Sequence, residues 1–494
     1  MSHDSVQRAR RVVVVGGGFS AATFAVQLIR NAEVPLEISI VEPREQIGRG
    51  LAYSAQDKDH RLNGPADSHS LDPEQPDEFL KWCLEKRLPE LDPECVTPSG
   101  LMFIRRRDYG SYVVQQLSRY AKCGAGCSRI RHVRDKADNA SFDGSTYRVA
   151  TSESGVLVAD LLVVATGNPQ PALRLPFEPQ HHQHPRIIAN PLNPGCLRHV
   201  GVEDRVLVVG TGLTAFDVLS TLLRSGHTGE MFAISRRGLQ PRSQRPEVFQ
   251  PPQYPARSGA YALESEPPLP EFLDVDRPFV RQWLHALRVE VRRLEQEGRC
   301  WHDAVDAVRN SAGRLWLLLS LTEQQRFLRK LSIWYDVHRF RLPPMNELFV
   351  RKAEDDGKVR FEAARLVKVQ LGSESPILVD IRKGAAGATV GLPFDWVVNC
   401  TGLDHAKASS DNPFLQSLLT SGLLKLHPNG LGFDVSPQCE ALSVTNAVQS
   451  GLRVFGPPTA GAFGDPLGAA FIASQVRRVM PDVLRYLQAS PSPL

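Results

Sequence analysis

Two glycine-rich turns, at residues 16–21 and 210–215, each lie between an apolar run and a helical stretch. Further apolar runs alternate with helices along the rest of the chain. Together these observations predict an α/β fold of two Rossmann-like dinucleotide-binding domains, the second inserted in the first, with a helical substrate or lid region. The strand-like runs are VVVVG (12–16), ISIVE (38–42), LLVVATG (161–167), VLVVGTG (206–212), MFAIS (231–235) and WVVNCTG (396–402). Continuous runs of this length predict parallel strands buried on both faces.

The predicted boundaries are 1–170 and 390–494 for the first domain and 200–389 for the second, with a helical insertion at about 270–345. Connections rich in Pro, Asn, His, Ser and Gln are predicted over 168–200 and 239–270. Between 276 and 341, Phe279, Trp283, Leu287 and Leu294 are spaced for one buried helix face. Arg281, Arg288 and Arg292 are placed on its solvated side. Two short strands are predicted near 358–370 and 376–381.

Composition sets the class and excludes others. A chain of 494 residues with 42% hydrophobic residues can bury large cores without disulfides or structural metals. The formal charge of +4 gives no reason to expect a nucleic-acid partner. Eight cysteines occur without a CxxC pair, as expected of reduced thiols in the cytoplasm. Cys123 and Cys127 form the nearest pair. His181, His182 and His184 fall in a polar connection, and no metal site is predicted. The apolar stretch after Arg10-Arg11 carries three consecutive glycines, so it reads as strand, loop and helix rather than a leader. No run is long enough to predict a membrane span.

The first turn places Gly16, Gly18 and Ala21 in a GxGxx(G/A) spacing. The first glycine permits the tight turn, the second lets backbone approach a pyrophosphate, and the small third residue lets helix pack on strand. The following helix directs its N–H groups and positive dipole end at the phosphates. The second strand ends in Glu42, about two dozen residues beyond Gly18, near the expected ~20. A carboxylate there binds ribose hydroxyls and repels a 2′-phosphate, so the site suits FAD or NAD rather than NADP.

The second turn repeats the spacing with Gly210, Gly212 and Ala215, and Thr214 is assigned to the same site. Its second strand ends in Ser235, not an acid, followed by Arg236 and Arg237. A hydroxyl and two guanidinium groups suit a 2′-phosphate. The second nucleotide is therefore predicted to be NADPH rather than NADH. Two such units in one chain allow a tightly held flavin and an exchanging hydride donor to share one cleft.

Several segments resemble the FAD/NAD(P)-binding flavoproteins related to flavin-containing and N-hydroxylating monooxygenases. They are VVVVGGGFSAATFAVQL, VEPREQIGRGLAYS (41–54), HRLNGPA (60–66), RRRDYGSYV (105–113), VVATGNP (163–169), VLVVGTGLTAFD (206–217), ISRRGLQPR (234–242), WYDVHRFRLPP (334–344), VVNCTG (397–402) and VFGPPTAGAF (454–463). The resemblance implies that Thr166 and Gly167 lie near the hinge of the FAD domain, and that Gly456 and Asp465 neighbour the ribityl or pyrophosphate. It also implies that Arg49 and Asn63 face the flavin, with Asn63 able to donate and accept a hydrogen bond. The sequence departs from the family at Gly64, where valine is usual, and lacks a tryptophan after the GP run. The implied activity is NADPH-driven insertion of one atom of O2, through a flavin C4a-(hydro)peroxide, into a small nucleophilic substrate, amines included. The rival readings are a flavin reductase or dehydrogenase without oxygen insertion and a non-catalytic nucleotide-binding protein. Asp336, His338 and Arg339 are the candidate substrate contacts, an anion and cations able to hold the two ends of an amino acid.

Overall fold

The computed structural model describes residues 8–121, 128–169, 171, 173–174, 176–246, 268–371, 376–384, 387–403, 411–464 and 468–489. The expected pair Cys123 and Cys127, and Asp465, lie outside them.

The apolar runs form two separate sheets. The first has six strands, in the order Glu440–Leu442, Val448–Val454, Leu161–Val164, Arg10–Val15, Leu36–Val41, Arg129–Val133. All neighbours are parallel except the outermost pair, Glu440–Leu442 and Val448–Val454. Alternation along Arg10–Val15 sends Val12 and Val14 to one core and Val13 and Val15 to another. Helix Phe19–Asn31 covers the first of these faces, packed on helix Ala469–Gln488, which closes the chain. A three-stranded antiparallel sheet (Ala137–Phe142, Tyr147–Thr151, Gly155–Ala159) and helix Pro413–Thr420 cover the other.

The second sheet has seven strands, in the order Thr389–Phe394, Ile377–Lys383, Val359–Gln370, Met231–Ser235, Val206–Val209, Trp396–Asn399, Ile187–Ile188. Helices Leu213–Arg224 and Pro344–Asp355 cover one face, through Val218, Leu222, Val350 and Ala353. The antiparallel strands at 359–394 curl over the other, where Ile377, Val379 and Phe394 pack on Leu207 and Val209.

The inserted unit is longer than the sequence suggested. Residue 390 was expected to mark the return to the first domain. Instead Thr389–Phe394 and Trp396–Asn399 both pair in the second sheet, with Trp396 in register with Val206. Asp395 fixes the register by accepting the Arg205 N–H at 2.8 Å. Ile187–Ile188 joins the opposite edge, so the unit begins before 200. A buried parallel strand reads the same whichever sheet receives it, which is why the run WVVN did not reveal its partner.

Five helices run between Val280 and Arg339. On the first, Leu294 is buried, Trp283 and Leu287 are only half-buried, and Phe279 is exposed just before its start. The spacing expected to make one buried face therefore makes one buried end and one open wall. No helix among the described residues is long and apolar enough to cross a membrane.

Candidate functional site

Both glycine-rich turns form cradles too tight for a side chain. Gly16 has φ +101°, and a Cβ there would lie 2.4 Å from the Ala165 carbonyl oxygen. Gly210 has φ +123°, and a Cβ there would lie 2.2 Å from the Cys400 carbonyl oxygen. In each case the strand that crosses back beside the turn, ending in ATG or CTG, supplies the wall. Only glycine fits at either position. Gly18 and Gly212 stand immediately before their helices in extended backbone with no side-chain cap. The first N–H groups of both helices are thus left for an anion.

The residue ending the second strand distinguishes the two cradles. Glu42 is buried, and its carboxylate accepts the Gly17 N–H at 2.9 Å and the Arg44 N–H at 3.0 Å. These bonds hold it beside the turn, with lone pairs left for ribose hydroxyls. In the second unit Thr211 occupies the place of Gly17, and its hydroxyl bridges Ser235 Oγ at 2.8 Å and the Leu239 carbonyl oxygen at 2.5 Å. The strand ends in Ser235 where the first unit has the Glu42 carboxylate. Arg236 and Arg237 follow, exposed and without side-chain partners among the described residues. Thr214 sits half-buried in the first helical turn. These residues fit a nucleotide without a 2′-phosphate at the first cradle and one with it at the second.

Gly456 has φ +75°, and a Cβ there would meet Ser20 Oγ at 2.3 Å, so its segment closes directly on the first cradle. Its N–H is held by Gln475 Oε1 at 2.9 Å, and Gln475 in turn donates to Thr459 Oγ1 at 2.9 Å. Sequence reasoning missed Gln475, which sits on the final helix with no motif around it. It also passed over Gly50, at φ +55°, where a Cβ would press on Gly18 Cα at 3.0 Å. The GRG repeat was the available signal. Thr166 and Gly167 follow the crossing strand, and Gly167 has φ +75°. Nearby, Pro171 bridges Leu403, and Arg174 donates to the Leu403 carbonyl oxygen at 2.7 Å, so the two connecting segments run side by side.

Arg49 does not offer a free cation. Its guanidinium donates to the Arg107 carbonyl oxygen and to Ser111 Oγ, both at 2.9 Å, and to Gln46 Oε1 at 2.8 Å. It anchors the GRG loop to helix Arg106–Ser118. Asn63 is half-buried, and its side-chain amide has no partner among the described residues. Its carbonyl oxygen accepts from Gln244 Nε2 at 2.9 Å, and Gln244 also reaches the Leu342 carbonyl oxygen at 3.1 Å. The second unit thus pins the Asn63 loop. Asn346 Nδ2 on the Asp59 carbonyl oxygen at 2.7 Å and Arg106 on Asp217 at 3.0 Å strengthen the same junction.

Gly64 has a packing reason. A Cβ there would come within 3.1 Å of His69 Cε1 and 3.2 Å of Ser68 Oγ, so a valine would require both side chains to give way. Burial pushes the His69 imidazole down to about 4, outweighing its bond to the Pro65 carbonyl oxygen. Burial, with Arg341 nearby, also pushes His302 down to about 4. Both stay neutral when folded, whereas the unfolded chain takes up protons near pH 6.5. The unfolded state then binds more protons between pH 6.5 and 4, and stability falls as pH drops through that window. Each histidine accounts for about 3 kcal/mol of that fall. In urea titrations at pH 7 and 4.5, His69→Gln should lose less stability than the parent. An equal loss would remove His69 from this account.

The trio at 336–339 separates. Arg339 pairs with Asp336 at 3.1 Å, and its buried guanidinium stacks 3.6 Å from the Phe340 ring centroid. Neither is among the residues that line the cavity within these helices. His338 is, beside Arg242 and Trp301, with Nδ1 2.6 Å from the Trp334 carbonyl oxygen. Helix spacing dictates this result. Positions 336 and 339 share one face and bind each other, and 338 faces elsewhere. Arg288 and Arg292, expected on a solvated face, line the same cavity, and Arg281 does not. His181, expected in a polar linker, is buried, with Nδ1 accepting the Glu178 N–H at 2.7 Å. Among the described residues no group of three His, Cys, Asp or Glu side chains is placed to hold a metal.

The family model NAD_binding_9, described as FAD-NAD(P)-binding, matches residues 13–169. No curated protein matches the sequence significantly. Solved structures align along almost the whole chain. An ornithine N-hydroxylase from Kutzneria sp. 744, with reduced FAD, NADP+ and L-ornithine, is 14% identical at TM-score 0.62, covering 97% of this chain and 99% of its own. The FAD-bound cadaverine monooxygenase of Erwinia amylovora is 13% identical at TM-score 0.60, covering 98% and 96%. A thioredoxin reductase from T. acidophilum is 11% identical at TM-score 0.51, covering 96% and 98%. With the cradle geometry, these findings show that the chain has the fold of the two-dinucleotide-binding-domain flavoproteins, with an FAD-NAD(P)-binding domain over residues 13–169.

Proposed function

We propose that this protein is an FAD-dependent, NADPH-using monooxygenase that transfers one atom of O2 to a nucleophilic small molecule, with amines among the candidate substrates. The observation that carries the reading is the contrast between two otherwise equivalent cradles, Glu42 at one and Ser235-Arg236-Arg237 at the other. It supports a different nucleotide at each, a resident FAD at the first and an exchanging NADPH at the second. The activities of the ornithine and cadaverine enzymes support oxygen transfer to nitrogen.

The flavin, when bound, supplies the redox chemistry, accepting a hydride from NADPH and passing electrons to O2. The chain supplies position and exclusion of water. Glu42 would hold the ribose of FAD, and the free N–H groups at the start of helix Phe19–Asn31 would hold its pyrophosphate. The Gly456 segment, tied by Gln475, closes over that cradle. Arg236 and Arg237 would hold the 2′-phosphate of NADPH. Asn63, with an unengaged amide and a backbone pinned by Gln244, is the polar group offered to flavin or substrate. Thr166 and Gly167 let the two units adjust about their paired connections. In balance, NADPH, a proton, O2 and substrate give NADP+, oxygenated substrate and water.

The test is oxygen accounting under 18O2. The holoenzyme is given NADPH and, in turn, L-ornithine, L-lysine, cadaverine, and aromatic or acyl amines that bear a carboxylate. A monooxygenase should put label into one product while hydrogen peroxide falls below the NADPH consumed. If all O2 leaves as peroxide with every compound, and a quinone is reduced much faster than O2, the protein is a reductase and this reading is wrong.

A further inference from the structure

The helices between Val280 and Arg339 surround a half-open cavity of about 740 Å³. That volume suits a drug-sized ligand. Four of the six tryptophans, Trp283, Trp301, Trp316 and Trp334, line it. Trp334 remains 43% exposed. Large aromatic surface left facing an open cavity marks a ligand site more often than a loosely filled core.

The cavity lies where three parts of the chain meet. Gly464, from the segment that closes the first cradle, lines it, and Trp316 Nε1 donates to the Gly461 carbonyl oxygen at 2.8 Å. Arg242, from the loop following Arg236 and Arg237, also lines it, with its N–H on the Val337 carbonyl oxygen at 2.8 Å. The remaining wall is the helical insertion.

The charge around it has one dominant sign. Arg242, Arg288 and Arg292 line the cavity, and none has a side-chain partner among the described residues. Glu295 is the one acid among the described lining residues. A compact diamine would meet three cations and little apolar need. An apolar body bearing an anionic head would satisfy both the tryptophans and the arginines.

We infer that this cavity receives the substrate of the reaction proposed above, and that the substrate is an amphipathic anion: an aromatic or acyl body bearing the nucleophile, with a carboxylate held by the arginines. The inference rests on the oxygenase reading for the word substrate. Its test needs neither nicotinamide nor oxygen, so the two can fail separately.

Calorimetric titration of the flavin-loaded protein with octanoate, octanol and octylamine varies only the head group. Octanoate should bind about tenfold tighter than octanol, as expected for partly exposed ion pairs, and octylamine should bind most weakly. Arg288→Glu with Arg292→Glu should reverse the order of octanoate and octylamine and leave octanol unchanged. Trp283→Ala should weaken all three. The inference is overturned if octylamine, L-ornithine or cadaverine binds tighter than octanoate, or if none of the octyl compounds binds.

Discussion

Replacing Gly16 by alanine should strip the protein of flavin, whereas the same change at Gly210 should leave flavin bound and abolish reduction by NADPH. Both positions carry φ above +100°, and a Cβ would sit 2.4 Å from the Ala165 carbonyl oxygen in one case and 2.2 Å from that of Cys400 in the other. Each substitution combines a backbone cost of about 1–3 kcal/mol with about 1–3 kcal/mol for displacing the crossing strand. That strand also forms the wall of the cradle, so the loss falls on the bound nucleotide. Flavin content should drop below about a tenth of the parent in Gly16→Ala, since ~1.4 kcal/mol already weakens binding tenfold. In Gly210→Ala the flavin band should persist while the NADPH reduction rate falls at least about 100-fold, corresponding to ~2.7 kcal/mol. Gly226→Ala is the control. Gly226 has φ +88°, but a Cβ there would meet nothing within 4 Å, so it carries the backbone cost alone. If the two cradle variants lost the same function, or neither lost any, the division between nucleotides would be wrong.

The second large effect concerns which nicotinamide nucleotide is used. Removing both cations, as Arg236→Ala with Arg237→Ala, should lower the preference for NADPH over NADH by about 25-fold. Each charge-assisted contact contributes about 1.5–3 kcal/mol when sheltered. Exposure reduces this to about 1 kcal/mol, roughly a factor of five, per arginine. The loss should appear almost wholly in the NADPH dissociation constant, with NADH little changed, because NADH has no 2′-phosphate to lose. NADPH affinity of the parent should also fall as salt is raised from about 0.05 to about 0.5 M, as screening shortens the reach of exposed charges to ~10 Å or less. Adding Ser235→Glu should restore a ribose acceptor like Glu42 and raise NADH affinity. A preference that moved less than about threefold in the double variant would place the 2′-phosphate elsewhere.

The sequence made the nucleotide cradles legible because their signal is local. Gly16, Gly18 and Glu42, or Gly210, Gly212 and Ser235, belong to one strand–turn–helix–strand unit, and the spacing carries the geometry. What failed was long-range. Trp396–Asn399 could have joined either sheet, since a strand buried on both faces carries no mark of its neighbour. The anchoring of Arg49 to Arg107 and Ser111, 58 and 62 residues away, likewise left no local mark in the sequence. Asp336 and Arg339 looked like a substrate grip, but the i,i+3 spacing that made them adjacent also let them satisfy each other. The cavity in the helical insertion had a signal that went unused, the gathering of four of six tryptophans between 283 and 334. Periodicity distinguishes an apolar face from a polar one, but it does not tell a packed face from a cavity wall.

The division of labour between the cradles is the central claim, and one anaerobic spectrum tests it most directly. The purified protein is recorded before and after NADPH, with NADH as the paired control. The account requires a visible bound-flavin band that NADPH bleaches much faster than NADH. A protein without flavin, or a flavin that NADH bleaches as fast as NADPH, would contradict it.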